Sequence, residues 1–157
     1  DGVKRVLEEL EKGKSVAFLT LGDVSVYSSC QYIYQPVKEA GAQTELISGV
    51  PSFCAAAARL DMPLVNGSQK LHILPASYHI EEALELPGVK VLMKSGRQMP
   101  KVKALLKEKG LEARMVENCG MEGEKTYQSL EEIPDDAGYF SLLIAESSEE
   151  KQGGQRT

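Results

Sequence analysis

Metal and thiol chemistry have little to work with in this sequence, which holds two histidines and three cysteines among its 157 residues. His72 and His79 flank "ILPASY" and lack the i, i+4 spacing with a carboxylate that a zinc-binding helix presents, so no metal site is expected. Cys30, Cys54 and Cys119 are odd in number, far apart and free of CxxC spacing, which excludes a disulfide framework and leaves reduced thiols. No apolar run approaches the roughly 18 residues that span a bilayer, and no basic segment followed by an apolar stretch opens the chain. The reading is therefore cytoplasmic, with no membrane partner. A formal net charge of −5, with lysines scattered among glutamates, offers no basic stripe to follow a phosphate backbone, so no nucleic-acid partner is expected. Neither GxGxxG nor GxxxxGK[ST] occurs, and no Ser-His-Asp, catalytic-cysteine or paired-carboxylate arrangement stands out. Catalytic residues are thus not assignable from pattern.

What is present is an ordinary α/β composition, 42% hydrophobic and 26% charged, at a length for one or two small domains. "VKRVLEELEKGK" puts Val3, Val6, Leu7 and Leu10 at helical spacing before Gly13. "SVAFLTL" reads as a strand buried on both faces, and Ser25 to Ala40 as a helix kinked near Tyr32 by Pro36 and stopped by Gly41. "TELISG" follows as a strand and "PSFCAAAARL" as a helix begun by Pro51. "KLHILP" then completes a βαβαβ order, which predicts a parallel sheet. Beyond Pro75, "IEEALEL" and "PKVKALLKEKG" read as helices, and "GVKVLMK", "EARMVENC", "KTYQSLEEI" and "YFSLLIAE" as strands of a mixed sheet. The expected domains are 1–75 and 76–146, with a disordered tail over 147–157 that has no apolar content to bury. Lobes of about 70 residues bury a low fraction of their surface and lean on each other or on a second subunit.

Ligands of open parallel sheets lie beyond the carboxyl ends of the strands, which here read "TLGDVSVYS", "ISGVPSFC" and "ILPAS". Gly22 lacks the Cβ that would block a ligand, and Asp23 offers acceptors to amines or hydroxyls. From local pattern alone the cap of a helix starting near Ser25 is the favoured role of Asp23, and a plain strand-to-helix turn that of "GVPSFCAAAA". Chemistry that needs positioning alone, such as methyl transfer from an activated sulfonium donor, is compatible with a site that carries no acid-base motif.

In "FLTLGDVSVYSSCQYIY", "SGVPSFCAAAARL", "ILPASY", "VLMKSGR", "VENCGMEGE" and "YFSLLIA", in that order from about Ser15 to Ala145, the chain resembles the tetrapyrrole (corrin and porphyrin) methylase family. Within it, the similarity is to the branch that methylates carbon 20 of precorrin-2 or cobalt-factor II in cobalamin biosynthesis, ahead of uroporphyrinogen methylases and diphthine synthases. A non-catalytic α/β binding module is the alternative from outside enzymology. The resemblance implies two α/β domains with S-adenosylmethionine, the methyl-donor cosubstrate, in a trough between them, a tetrapyrrole substrate and a homodimer. It implies donor contacts from Leu21, Gly22, Asp23 and Val26, from Pro51 and Ser52, and from Met93, Lys94 and Cys119 in the second lobe. Lys94 and Arg97 are candidates by position for holding substrate carboxylates, the alternative being two solvated surface charges. Val24 and Ser48 stand where the family usually has proline, and the family's first strand with its GxGPGD loop is absent. The chain begins at Asp1 and its first methionine is Met62, so the expectation is a fragment, catalytically incompetent by itself.

Overall fold

The computed structural model describes residues 1–75 and 80–147. Ala76 to Tyr78 of "ILPASY", His79 and the expected disordered tail beyond Ser147 lie outside the described residues. The chain divides into two compact units, Asp1–Pro51 and the part from Ser52 onward.

The first unit holds two helices. α1 (Gly2–Glu11) ends at Gly13, whose φ of +76° is the left-handed stop its sequence position predicts. α2 (Gln31–Glu39) contains Pro36 and runs out at Gly41 with φ +87°. The two helices pack together, with the Gly2 backbone close against the Ile33 side chain. Two expectations are corrected here. The helix read from Ser25 begins six residues later, because Ser25 is drawn into a turn by the Asp23 carboxylate and Tyr27 takes φ +49°, outside the helical region. "SVAFLTL" and "TELISG" form no strand among the described residues. A strand exists only with a ladder partner, and neither segment has one. Leu19, Leu21 and Ile47 are 88%, 76% and 76% exposed, the opposite of burial on both faces. The parallel sheet predicted for this half of the chain is consequently not formed within it.

The second unit is an α/β sandwich around one mixed sheet. Its elements are α3 (Ser52–Arg59), β1 (Leu71–Pro75), α4 (Glu81–Leu84), β2 (Val89–Met93), a 3-10 turn (Gly96–Gln98), α5 (Met99–Glu108), β3 (Leu111–Glu117), β4 (Lys125–Tyr127) and β5 (Ser141–Ser147). The strand order is β1-β2-β5-β3-β4. β1 pairs parallel with β2, and β5 runs antiparallel between β2 and β3. Leu71–Pro75, assigned by sequence to the first domain, thus belongs to the sheet of the second unit. Leu92, Met99, Leu106, Met115, Ile133 and Leu143 are fully buried, and each such side chain contributes about 2 kcal/mol relative to exposure. α5 packs on β3 on the face that carries this core, while α3 packs on β5 and β3. The buried Ala56 and Ala57 leave the bulk-free surface on α3 that close packing needs.

One consequence of the topology sets up the site. Because β5 is antiparallel to both neighbours, β1, β2 and β3 run in the same direction. Their carboxyl ends emerge along one edge of the sheet, where β5 begins.

Candidate functional site

In the first unit the site grows from a glycine and a carboxylate. Gly22 takes φ +78°, a conformation that side chains resist, and this turns the chain sharply at the end of the apolar run. The turn brings Asp23 under cover, 9% exposed, with both carboxylate oxygens engaged. Oδ1 accepts from the Ser25 N–H at 2.8 Å and from the Ser25 hydroxyl at 2.5 Å. Oδ2 accepts from the Gly49 N–H at 2.9 Å. The Ser25 hydroxyl, then the Ser25 and Gly49 N–H groups, hold the Asp23 carboxyl below the usual carboxylate range, against the opposing effect of desolvation. The capping reading of Asp23 is met halfway: the side chain does bind the backbone of its own turn, yet the turn is not a helix start.

The same contact exposes a residue that pattern reading did not single out. Gly49 lies so close to the Gly22 carbonyl that a Cβ placed on it would sit 2.3 Å from that oxygen. A glycine is required there for the second loop to meet the first. The only local signal was a Gly after the apolar run of "TELISG", which turns of many kinds share.

The structure therefore brings Leu21, Gly22, Asp23 and Val26 to one loop, with Gly49 against it. Leu21 is exposed, and Val26 is half-buried, its N–H directed at the Asp23 carbonyl at 3.4 Å. Pro51 ends the first unit and Ser52 opens α3 of the second.

The rest of the expected set lies at the strand ends of the second unit. Met93 closes β2 and faces Leu142 of β5 across the ladder. Lys94 follows with φ +60°, and Asn118, just past β3, has φ +52°. Both are non-glycine residues in the left-handed region, a strain that accumulates at ligand clamps and active sites. Ser95 is fully buried and caps the Leu92 carbonyl at 3.4 Å. Cys119 is half-buried in the turn between β3 and β4. Burial pushes its thiol up, the Glu124 carboxylate adds to the rise and Arg59 opposes it. A thiol so held stays protonated at neutral pH and makes a poor nucleophile. Glu124 accepts from the Gly120 N–H at 2.6 Å and pairs with Arg59 at 2.7 Å, and these contacts keep its own carboxyl low.

Among the described residues no cluster of His, Cys, Asp or Glu has metal-holding geometry. What the loops offer is shape: small residues, fixed backbone and strained strand ends, which suits alignment of reactants more than proton transfer.

The family model for Tetrapyrrole (Corrin/Porphyrin) Methylases matches residues 1–134. A probable cobalt-precorrin-2 C(20)-methyltransferase of Methanocaldococcus jannaschii is 32% identical over 138 residues, covering 86% of this chain and 60% of that protein. A cobalt-precorrin-2 C(20)-methyltransferase of Salmonella typhimurium is 35% identical over 143 residues, with 87% and 60% covered. The chain thus spans about 60% of the length of the curated relatives it matches. Among solved structures, a cobalt precorrin-4 methyltransferase superposes with a TM-score of 0.78 at 18% identity, covering 92% of this chain and 69% of that one. A uroporphyrin-III C-methyltransferase from Thermus thermophilus, complexed with S-adenosylhomocysteine, gives 0.68 at 17% identity, with 90% and 70% covered. At these identities the structures establish the fold.

Proposed function

Because this chain belongs to the tetrapyrrole (corrin/porphyrin) methylase family, we propose that the protein carrying it transfers a methyl group from S-adenosylmethionine to carbon 20 of precorrin-2 or cobalt-factor II, a step of cobalamin biosynthesis. The observation that supports this most is the shared name of the two relatives at 32% and 35% identity, both matched over more than four-fifths of this chain. The tetrapyrrole carbon supplies the electron pair, the sulfur–methyl bond breaks towards sulfur, and the carbon gives up a proton to solvent. Donor contacts fall to Leu21, Gly22, Asp23, Val26, Pro51, Ser52, Met93, Lys94 and Cys119. Asp23 acts chiefly by holding its loop, since its two oxygens are already committed to Ser25 and Gly49.

The reading includes a homodimer in the cytoplasm with no nucleic-acid or membrane partner. Among the described residues no helix is long and apolar enough to cross a membrane.

The test is to incubate the full-length protein with S-adenosylmethionine and, in parallel, precorrin-2, cobalt-factor II and uroporphyrinogen III. Mass spectrometry should show one added methyl on the first or second and production of S-adenosylhomocysteine. Methylation of uroporphyrinogen III alone would transfer the protein to a different branch of the family.

A further inference from the structure

The turn that precedes β5 carries two aromatic residues outward. Tyr139 and Phe140 are 54% and 52% exposed, the most exposed large apolar side chains among the described residues of the second unit. Their rings meet edge to face, with centroids 5.2 Å apart and planes at 81°. Such a pair leaves a ring face open to a further flat partner.

The turn is held from three directions. The Gly138 N–H donates to Glu117 Oε1 at 2.6 Å, the Ser141 hydroxyl donates to the Gly138 carbonyl at 2.6 Å, and the Asn118 N–H donates to the Phe140 carbonyl at 3.0 Å. Behind it, Gly96 packs so tightly that a Cβ there would come within 2.1 Å of the Gly138 oxygen. The loop after β2 and the aromatic turn are therefore in direct contact. That loop carries Lys94 and Arg97, both exposed and neither in an ion pair among the described residues. Two neighbouring carboxylates are engaged elsewhere. Glu117 holds Gly138, and Asp135 pairs with Lys103 at 2.7 Å.

We infer that Tyr139 and Phe140, with Arg97 on the adjoining loop, form the rim on which the substrate macrocycle docks: the aromatic pair takes the flat ring and the Arg97 guanidinium takes a peripheral carboxylate. The inference rests on the tetrapyrrole reading above and adds which side chains would recognise the substrate. A loose surface loop gains little from exposed aromatics, which cost solvation and invite aggregation. A turn fixed at three hydrogen bonds presents them already ordered, so docking need not freeze them. An unpaired guanidinium on the loop that adjoins an aromatic pair complements a ligand that is both planar and anionic. The strained φ values of Lys94 and Asn118 mark the two strand ends that flank the turn.

The test uses the full-length protein and the singly substituted variants Tyr139→Leu, Phe140→Leu, Arg97→Gln and Arg97→Lys, all at exposed positions. For each, kcat and KM for the tetrapyrrole are measured beside calorimetric affinity for S-adenosylhomocysteine. The expected result is KM raised about tenfold by loss of either ring and by Arg97→Gln, substantially restored in Arg97→Lys, with donor-product affinity within about twofold of the parent. Unchanged KM in all four, with the parent active, overturns the rim alone. Parallel loss of S-adenosylhomocysteine affinity also overturns it, because the residues would then belong to the donor site. A parent that methylates no tetrapyrrole overturns the underlying reading and the rim with it.

Discussion

The backbone N–H of Gly49 donates to Asp23 Oδ2 at 2.9 Å, joining two loops whose contact residues are 26 positions apart in sequence. The other carboxylate oxygen is bound by Ser25, so one side chain sets the shape of its own turn and docks the second turn on it. Three predictions concern this pair and its surroundings, and two concern the second unit.

Asp23→Ala should loosen both loops and weaken S-adenosylhomocysteine binding by the full-length protein about tenfold, read by calorimetry. Asp23→Asn keeps one acceptor oxygen and should fall between the two. An unchanged affinity in Asp23→Ala would remove the clasp from any role in donor binding.

The clasp should fail in acid. A carboxylate whose folded pKa is depressed contributes stability that is present above its unfolded pKa, about 3.9, and lost as pH falls through the lower folded value. Parent and Asp23→Ala should therefore differ in denaturant midpoint at pH 7 and converge as the pH drops well below 4. A constant difference across that range would show that the charge contributes nothing.

Gly49→Ala should destabilise the first unit by about 2 kcal/mol, because its Cβ would stand 2.3 Å from the Gly22 carbonyl and backbone must move to relieve it. Gly41→Ala is a useful contrast, since no atom lies within 4 Å of its added Cβ and only the φ of +87° penalises it. Equal losses would mean that the crowding at Gly49 relaxes freely.

In the second unit, Met115 and Leu143 are fully buried and face each other across β3 and β5. Leu143→Ala should cost about 3 kcal/mol by urea denaturation, from lost burial together with the cavity left behind.

Cys119 should alkylate slowly at neutral pH beside the exposed Cys54, as followed by mass spectrometry of iodoacetamide-treated protein. Glu124→Gln removes a negative charge that raises the thiol and should speed the reaction. Arg59→Gln should slow it.

The second unit was largely legible because its signals are local. Pro100 near the start of α5 and Gly110 after its end bracket that helix, and the apolar runs of β2 and β5 reappear as the fully covered strands of the sheet. β4, read across "KTYQSLEEI", shortens to Lys125–Tyr127, where its ladder with β3 ends. The first unit was less legible because pairing is not local: an apolar run such as "SVAFLTL" states that it prefers to be covered, and says nothing of whether a neighbour is there. At Ser25 the helical spacing of Val26, Ile33 and Val37 is outweighed by the hydrogen bond that the Ser25 N–H donates to the Asp23 carboxylate. Gly22 and Asp23 stood out because they interrupt a pattern. Gly49 did not, since its purpose lies in an oxygen on the other loop, and Tyr139 and Phe140 read as part of a strand until the turn before β5 placed them outside it.

The segments 15–21 and 44–50 also govern how this chain behaves in a test tube. Val16, Phe18, Leu19, Leu21, Leu46, Ile47 and Val50 are all exposed, on backbone that has no ladder partner among the described residues. Exposed apolar stretches with unpaired backbone are templates for strands from other molecules. Handled at high concentration, the chain will therefore tend to self-associate and precipitate, and its solubility will respond to a charge placed at Leu19 or Ile47 more than to any change in its core.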